Sequence, residues 1–436
     1  MRDLSEEAIS IFLKTASSLN PSTVIRNRLV VEGEFLFVDQ ERVRLSDFSD
    51  VRLIGIGKAS VTMASVIEEM FGGRITSGII VTNSRPRVKL NSEVIVGGHP
   101  LPDANSLIAG DRIINALRTA DEQSLIIFLI SGGGSALAES PLFDEITLED
   151  IQDLNRILVN CGASIQEINV IRKHLSKIKG GRLGYLVRNS MRVALYISDV
   201  NRGDMRSIAS NPLLRDDVTL EDFSRIVAEY GLAEKLPRSI ASLIEKDQVP
   251  PLPDWNEDEA GGQVNLMLIE NADALRVAAE TARELGFEVS IESASVEGDY
   301  KKVAGKLISE LAGLQKARGK KVCLISGGEV SCPVSGRGVG GRNQEFTLYA
   351  ASRLAASGIE NAVVLSCGTD GVDGNSIATG AVLSASAMGV AEERNLDLNR
   401  YFETSDSHSF FLEYGGLVVT GPTGNNIRDL RILLAR

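Results

Sequence analysis

The chain has 436 residues, of which 43% are hydrophobic and 24% are charged, a balance that is typical of a folded globular protein and excludes a disordered one. Its 46 Lys and Arg residues against 58 Asp and Glu residues give a formal net charge of −12, which excludes broad electrostatic binding of nucleic acid. At about 150 residues per domain, this length predicts two or three domains.

No stretch of the sequence predicts a membrane span or a secretory leader. The longest apolar run near the middle, residues 125–130, has six residues, whereas a membrane helix needs about 20. A secretory leader has a basic start followed by an apolar stretch, whereas the first residues here include several acids. The four cysteines are not spaced like those of a disulfide framework. The three histidines lie far apart and do not indicate a zinc site. We therefore expect a cytoplasmic, reduced protein without a membrane or nucleic-acid partner.

The first half of the chain alternates between predicted strands and helices. Apolar residues at three- and four-residue steps predict a helix over the first twenty residues, and residues 29–45 predict a hairpin that turns at Gly33. Strands are predicted at 51–57, 77–83, 92–98, 124–131 and 193–200, with helices between them that include 148–159 and 164–179. Continuous apolar strands separated by helices indicate a parallel sheet that is covered on both faces.

A stretch rich in proline and acids, residues 248–262, interrupts this pattern and is typical of an exposed linker. Beyond it, strands are predicted at 288–293, 321–329, 362–371 and 416–421, with helices at 271–285, at 303–318, after Asn343 and at the C-terminus. The sequence therefore predicts an α/β protein of two domains with mainly parallel sheets. A Rossmann-like domain is expected over residues 1–250 and a second α/β domain over 251–436, with an active-site cleft between them.

Two glycine-rich turns follow predicted strands of the first domain, where open α/β sheets bind ligands. The first, residues 55–60, nearly fits the dinucleotide fingerprint and contains Lys58, which is either solvated or functional. The next strand ends in Asn83, Arg85 and Arg87 instead of the acid that NAD requires, which leaves NADP open. The second turn, residues 131–135, is either a closely packed loop or a phosphate site, because a glycine loop exposes backbone N–H groups that can converge on a phosphate oxygen. Its predicted phosphate-binding residues are Ser131, Gly132, Gly133, Gly134 and Ser135.

Cations are concentrated in two segments of this acidic chain. Lys173 and Arg182 belong to a basic cluster along and after the helix predicted at 164–179, which is either a solvated face or an anion site. Residues 336–341 form a glycine-rich loop that leads to Arg342 at the start of another predicted helix. A guanidinium group in that position is suited to binding a phosphoryl group or a carboxylate, although a solvated surface loop explains the pattern equally well.

Carboxylates follow several of the predicted strands. Asp and Gly are common in ordinary turns, so that one such acid alone indicates little. Several acids at corresponding strand ends favour a Mg²⁺ site, because this ion takes oxygen ligands alongside substrate phosphates. The candidate ligands are Asp204, Glu329, Asp370 and Asp373.

In chain order, the strings GIGKAS, SGGGSAL, NVIRKHLSKIKGGRL, SDVNRGD, SGGE, GRGVGGRNQEF, GTDGVDG and TGPTGNN resemble the glycerate 2-kinase family with a C-terminal MOFRL domain. The resemblance covers about residues 9–430, and members of the family are often labelled hydroxypyruvate reductase. It implies ATP-dependent phosphorylation of D-glycerate, usually to 2-phosphoglycerate, with Mg²⁺ and a cleft between two α/β domains, the second of MOFRL type. The lysine and arginine to which the family assigns essential roles correspond to Lys58 and Arg342. Asn425 stands where the family more often has threonine.

If the chain is such a kinase, we hypothesise a role for each candidate residue. Lys58 and Arg342 would neutralise the transferred phosphoryl group, with Asp204 as the group that takes the proton of the acceptor hydroxyl. The 131–135 loop, together with Gly340 and Gly341, would bind the phosphates of ATP. Lys173 or Arg182 would bind the glycerate carboxylate, and the four acids would hold Mg²⁺.

Two other functions remain open on the sequence. An NADP-dependent hydroxypyruvate reductase would use residues 55–60 as its dinucleotide turn, but it leaves the later glycine, arginine and aspartate loops without a role. A non-catalytic protein that binds a sugar acid or a nucleotide would show saturable binding without turnover. The residues leave the regiochemistry, the number of metal ions and homo-oligomer formation undecided.

Overall fold

The computed structural model describes residues 3–198, 205–256, 261–319, 321–359 and 361–436. Contacts divide the chain into two compact units. The N-terminal unit is Val24–Leu268, and the C-terminal unit combines Met1–Thr23 with Ile269–Arg436. The sequence predicted a single boundary after residue 250, whereas this division places the first helix with the C-terminal residues.

The helices and strands of the described residues are as follows. The helices are α1 (Leu4–Ser18), α2 (Pro21–Arg28), α3 (Ser60–Phe71), α4 (Ala104–Leu117), α5 (Gly134–Leu137), α6 (Leu148–Asn160), α7 (Ile165–His174), α8 (Arg182–Leu186), α9 (Leu220–Glu229), α10 (Arg238–Glu245), α11 (Asn271–Glu284), α12 (Tyr300–Arg318), α13 (Arg342–Ala356), α14 (Ala387–Glu393), α15 (Leu398–Thr404) and α16 (Ser407–Tyr414). The strands are β1 (Leu29–Glu32), β2 (Phe35–Val38), β3 (Glu41–Arg44), β4 (Asp50–Ile56), β5 (Ser77–Thr82), β6 (Glu93–Val96), β7 (Ser124–Ile130), β8 (Met191–Ile197), β9 (Gln263–Ile269), β10 (Glu288–Ile291), β11 (Gly298–Asp299), β12 (Val322–Gly328), β13 (Val330–Ser331), β14 (Ala362–Gly368), β15 (Gly380–Ser384), β16 (Leu417–Val418) and β17 (Asp429–Ala435).

The N-terminal unit is built on a six-stranded sheet in the order β6-β5-β4-β7-β8-β9. The pairings among its first five strands are parallel, which confirms the parallel sheet predicted for this half. Every residue of β7 is buried, as expected for a strand with both faces covered. Because parallel strands end at one edge and β4 pairs with β7, the turns that follow these two strands are neighbours.

Two smaller parts complete the N-terminal unit. The predicted hairpin is confirmed as part of an antiparallel meander, β1-β2-β3. Helices α6, α7, α9 and α10 share a separate apolar core that includes Leu158, Ile171, Phe223 and Ile240. Helix α7 begins with the predicted capping box at Ser164, but it ends at His174 instead of residue 179. The chain leaves the helix there because residues 175–177 hydrogen-bond to residues 140–142.

The C-terminal unit contains a six-stranded sheet in the order β10-β12-β17-β14-β15-β16. Only the β10–β12 pairing in this sheet is parallel, so that the predicted α/β class is confirmed but the sheet is mainly antiparallel. Two of its four antiparallel pairings involve the C-terminal segment, where the predicted helix is wrong. Residues 429–435 form the central strand β17, which lies between β12 and β14 and is buried throughout.

Helix α1 belongs to the C-terminal unit because its apolar face has its partners there. Leu4, Ala8, Ile11 and Phe12 are buried in one cluster with residues of α11, β12, β14 and β17. Burial of such a face stabilises a helix far more than its intrinsic propensity does. Among the described residues, no helix combines the length and the apolarity needed to cross a lipid bilayer.

Candidate functional site

Two turns at the edge of the N-terminal sheet are hydrogen-bonded to each other. The N–H of Lys58, after β4, donates to the carbonyl of Gly132, after β7, over 3.0 Å. The N–H of Ala59 donates to Oγ of Ser131, also over 3.0 Å. A Cβ atom on Gly57, where φ is +136°, would collide with Ser131, so this approach requires glycine. The two glycine-rich turns that were predicted from the sequence therefore pack directly against each other.

The side chain of Lys58 lies across the 131–135 loop. A Cβ atom on Gly133, where φ is +82°, would stand 3.2 Å from both Cγ and Cε of Lys58 and 3.2 Å from the ring of His99. Within the described residues, the Lys58 ammonium group has no hydrogen bond or ion pair, and the N–H groups of Gly132, Gly133 and Gly134 donate to no protein acceptor. A cation beside several unpaired N–H donors is the arrangement that binds an anionic oxygen.

His99 completes this cluster as a neutral group. Desolvation of the imidazole and the nearby charge of Lys58 lower the pKa of His99 to about 4. The ring therefore carries no charge at neutral pH, and Lys58 is the cation of the cluster. His99 was not predicted as a site residue, because a lone histidine in a loop gives no local signal of its neighbours.

The other side of the 131–135 loop is fixed by the segment that follows β8. Oγ of Ser135 lies 2.8 Å from Oγ of Ser210, which in turn donates to Oδ1 of Asn169 over 3.0 Å. A Cβ atom on Gly134 would stand only 2.6 Å from that of Ala209. Residues 209–211 all have positive φ angles, a strained backbone that the surrounding contacts must maintain. The loop is thus held on both sides. The N–H of Ser131, a predicted phosphate-binding residue, donates to the carbonyl of Ile56 over 3.0 Å, whereas those of Gly132, Gly133 and Gly134 have no acceptor among the described residues.

Lys173, a predicted substrate-binding residue, is committed to a buried ion pair. Its Nζ lies 2.6 Å from Oδ2 of Asp216, and both side chains are buried. Burial opposes ionisation of Asp216, but Lys173 and Asn211 hold its pKa below the ordinary value. A buried partner of this kind leaves the ammonium group unavailable to a substrate, so the structure argues against the predicted role. Lys179 is likewise paired with Glu139 in the interior.

Two arginines of the same segment keep unpaired donors. Among the described residues, Arg182, the other predicted substrate-binding residue, makes one long contact of 3.4 Å to the carbonyl of Pro251, and its buried Nε has no hydrogen-bond partner. Arg172, which the site prediction omitted, has a buried Nε and no hydrogen bond or ion pair with the described residues. Desolvation lowers the pKa of Arg172 from its ordinary value, while Glu139 raises it. Asp204, the predicted proton acceptor, lies outside the described residues.

In the C-terminal unit, Arg342 begins α13 and is held by two carboxylates. Its Nε lies 2.7 Å from Oδ2 of Asp429, and its Nη2 lies 3.0 Å from both Oδ1 of Asp429 and Oε1 of Glu329. Burial opposes the charge, but the two acids raise the pKa of Arg342, so the guanidinium group stays ionised. Nη1 makes no hydrogen bond within the described residues. The predicted metal ligand Glu329 is therefore a partner of Arg342.

Asp373, another predicted metal ligand, caps the first turn of α13. Its Oδ1 accepts hydrogen bonds from N and Nδ2 of Asn343, and its Oδ2 accepts from N and Nε2 of Gln344. A carboxylate has about four acceptor sites, and these four donors occupy them. Burial raises the pKa of Asp373, although the donors oppose this. The structure thus assigns Asp373 a structural role and argues against metal binding.

The two glycines before α13 that were predicted to bind phosphate, Gly340 and Gly341, differ in their contacts. The sequence predicted that Gly340 binds a phosphate. Its N–H instead donates to Oδ1 of Asn375 over 2.9 Å, so it is not available to that ligand. Gly341 precedes the helix, and a Cβ atom there would collide with Asp373. Its predicted contact with phosphate remains a prediction.

The described residues contain no group of three or more His, Cys, Asp or Glu side chains that could hold a metal ion by themselves. Glu329 and Asp370 remain as partly exposed carboxylates at strand ends, and Asp370 lines a cavity with Arg342. Mg²⁺ commonly takes one or two carboxylates and completes its shell with water and substrate phosphates. The donor set fits an ion that arrives with a nucleotide, and does not fit a protein-only cage.

Arg342 lines a cavity of about 630 Å³ within the C-terminal unit, and Glu345 lines the same cavity. The two residues are three positions apart on α13 and so lie on one side of the helix. Burial raises the pKa of Glu345 to about 7, although Tyr300 Oη, 3.4 Å away, and Lys301 favour ionisation. Glu345 was not predicted as a site residue, because a glutamate in the first turn of a helix is ordinary.

Replacing Glu345 with Gln should stabilise the protein at alkaline pH and have little effect at pH 4.5. Because the folded-state pKa of Glu345 is raised, the cost of its ionisation appears as the pH increases from about 4.5 to about 7. At pH 8 the variant should gain up to about 3 kcal/mol in its free energy of unfolding. Urea unfolding at both pH values measures this, with the exposed Glu403→Gln as the control. An equal effect at both pH values would contradict the assignment.

Comparisons with known proteins agree with this architecture. Residues 7–245 match the family model described as a domain of unknown function, DUF4147, and residues 322–429 match the MOFRL family. A glycerate 2-kinase of Pyrococcus horikoshii is 31% identical over 99% of this chain and 97% of its own. A putative hydroxypyruvate reductase of Agrobacterium vitis is 35% identical over 88% of this chain and 86% of its own. The crystal structure of a glycerate kinase from Thermotoga maritima superposes with a TM-score of 0.83 at 32% identity, covering 99% of both chains.

Proposed function

The chain belongs to the glycerate 2-kinase family, and from this premise we propose that it transfers the terminal phosphoryl group of ATP to D-glycerate, forming 2-phosphoglycerate and ADP. The observation that carries the proposal is the set of donors at the 131–135 loop. Three loop N–H groups and the Lys58 ammonium group lie together without a partner among the described residues. Phosphoryl transfer depends on positioning and charge neutralisation, which such donors supply.

Lys58 and Arg342 have complementary roles in this proposal. The Lys58 ammonium group is a point charge on a flexible stem, so it can adjust its position to contact a phosphate group that the loop N–H groups bind. Arg342 has a planar fork whose Nε and Nη2 are already held by protein carboxylates, so Nη1 is the nitrogen it offers to a ligand. Both groups neutralise the charge that develops on the phosphoryl oxygens.

The acceptor substrate needs a cation for its carboxylate and a base for its hydroxyl. Arg182 and Arg172 are the candidates for the carboxylate, because each has a buried Nε that finds no acceptor within the described part of the chain, and because Lys173 is paired with Asp216. An arginine fork binds a carboxylate through two parallel hydrogen bonds. Asp204 stays our proposal for the proton acceptor.

Mg²⁺ belongs to the proposal as an ion bound together with ATP. Glu329 and Asp370 are the candidate protein ligands among the described residues, and Asp204 is a further one. When bound, the ion neutralises phosphate charge and orients the phosphate chain. Asp373 is omitted because its acceptor sites are occupied.

The decisive experiment incubates the protein with D-glycerate and either Mg-ATP or NADP⁺ and follows ADP and NADPH in separate assays. We expect ADP only in the presence of glycerate, and no NADPH. NADPH without ADP would instead support the hydroxypyruvate reductase, the name that one relative carries. Binding of both ligands without either product would support a non-catalytic binding protein. Phosphorus NMR of the product distinguishes 2-phosphoglycerate from 3-phosphoglycerate.

A further inference from the structure

Asp429 is a carboxylate that was not predicted from the sequence and to which the phosphoryl transfer proposed above assigns no role. It begins the central strand β17, opposite Gly328 of β12 and Gly368 of β14, and it is fully buried. A buried carboxylate is costly unless cations and donors surround it. Because Asp429 has no exposed surface, any part it takes in the reaction passes through the groups that it touches.

Those groups hold the carboxylate in one orientation. Oδ1 accepts from Nη2 of Arg342 and, over 3.0 Å, from Nδ2 of Asn343. Asn343 is itself fixed, since its Oδ1 accepts from Ser366 over 2.6 Å and its amide groups donate to Asp373. Asp429 is thus connected to the start of α13 and, through Asn343 and Ser366, to the neighbouring strand β14.

Arg431 is a second cation beside Asp429, and it lies inside the sheet. It is fully buried, lies 3.7 Å from Asp429, and donates to the carbonyls of Gly327 and Gly328. Burial lowers the pKa of Arg431 to about 10, so it is charged at neutral pH. A buried ion pair is often no more stabilising than an apolar pair of similar volume. Here the Arg431–Asp429 pair instead holds the Asp429 carboxylate in place beside the guanidinium group of Arg342.

We propose that Asp429 is the positioning residue of Arg342: it fixes the guanidinium group through Nε and Nη2 so that Nη1 is presented to the ligand. This inference rests on the proposed phosphoryl transfer, in which Arg342 acts. Glu329 accepts one hydrogen bond from Arg342, through Nη2, and is partly exposed, so it supports the guanidinium group less firmly than Asp429 does. A misplaced catalytic group can cost about 100-fold in rate, which sets the scale of the effect.

A double-mutant cycle tests the proposal with full-length protein. Asp429→Asn should lower kcat by about 10- to 100-fold with little change in the KM for D-glycerate. In an Arg342→Ala background, the same change should lower kcat no further, because the residue on which it acts is gone. A loss of the same size in both backgrounds, or an unchanged kcat in the single variant, would overturn the proposal.

A second variant guards against loss of folding. Asp429→Asn leaves the buried Arg431 without its counter-ion, whereas Asp429→Asn combined with Arg431→Gln removes both charges. Circular dichroism and thermal unfolding establish that each variant is folded. The combined variant should also lower kcat in the wild-type background and lower it no further in the Arg342→Ala background. Absence of ADP with the wild-type protein would defeat the proposed function itself. An active wild-type protein with additive effects would defeat only the positioning role.

Discussion

Replacing Arg342 with Lys is expected to lower kcat by about 100- to 1,000-fold while the protein stays folded. The guanidinium group forms two bonds to Asp429 and one to Glu329, and Nη1 remains for a ligand. A lysine ammonium group can neutralise Asp429, but it cannot at the same time extend a second nitrogen to a phosphoryl oxygen. Steady-state kinetics of ADP formation, with thermal unfolding measured in parallel, checks the expectation.

Arg353→Lys is the matched control for this experiment. Arg353 lies in the last turn of the same helix, α13, and is exposed, so the substitution repeats the chemical change away from the cavity. Its kcat and melting temperature should equal those of the wild-type protein. Unchanged turnover in Arg342→Lys would remove Arg342 from the mechanism, and an equal loss in both variants would indicate a general effect on the helix.

The sequence predicted the turns of the N-terminal unit well because their position follows from local rules. Parallel strands end at one edge, and glycines after β4 and β7 mark places where backbones approach closely. These two rules are sufficient to bring the turn that carries Lys58 next to the turn that carries Gly133. The same rules do not reveal His99, whose neighbourhood depends on how another loop is folded.

Two errors arose where long-range contacts decide the outcome. Residues 429–435 form a short apolar run, and such a run fits a helix or a strand; pairing with β12 and β14 determines that it is a strand. Lys173 belongs to a basic cluster, but its partner Asp216 is on a distant segment, so the pattern alone resembled an anion site. Asp429 was missed for the same reason, since it lies 87 residues from Arg342.

Replacing Lys58 with Ala is expected to lower kcat by about 100- to 1,000-fold and to raise the pKa of His99. The rate falls because Lys58 is the one charged donor that lies across the 131–135 loop among the described residues. The pKa rises because the charge of Lys58 is one of its two causes, while desolvation of the ring still holds it below the ordinary value. ADP assays measure the first effect, and NMR titration of the histidine ring measures the second.

The two readouts separate a catalytic role from mere proximity. Lys58 forms no hydrogen bond or ion pair through its side chain within the described residues, so its removal should leave the melting temperature nearly unchanged. Lys58→Arg, which keeps the charge, should leave the pKa of His99 low and yet turn over more slowly, because a planar fork does not replace a point charge above the loop. If the pKa of His99 rises in Lys58→Ala while kcat is unaffected, Lys58 lies beside the loop but takes no part in phosphoryl transfer. If neither changes, the cluster of Lys58, His99 and Gly133 does not exist in solution.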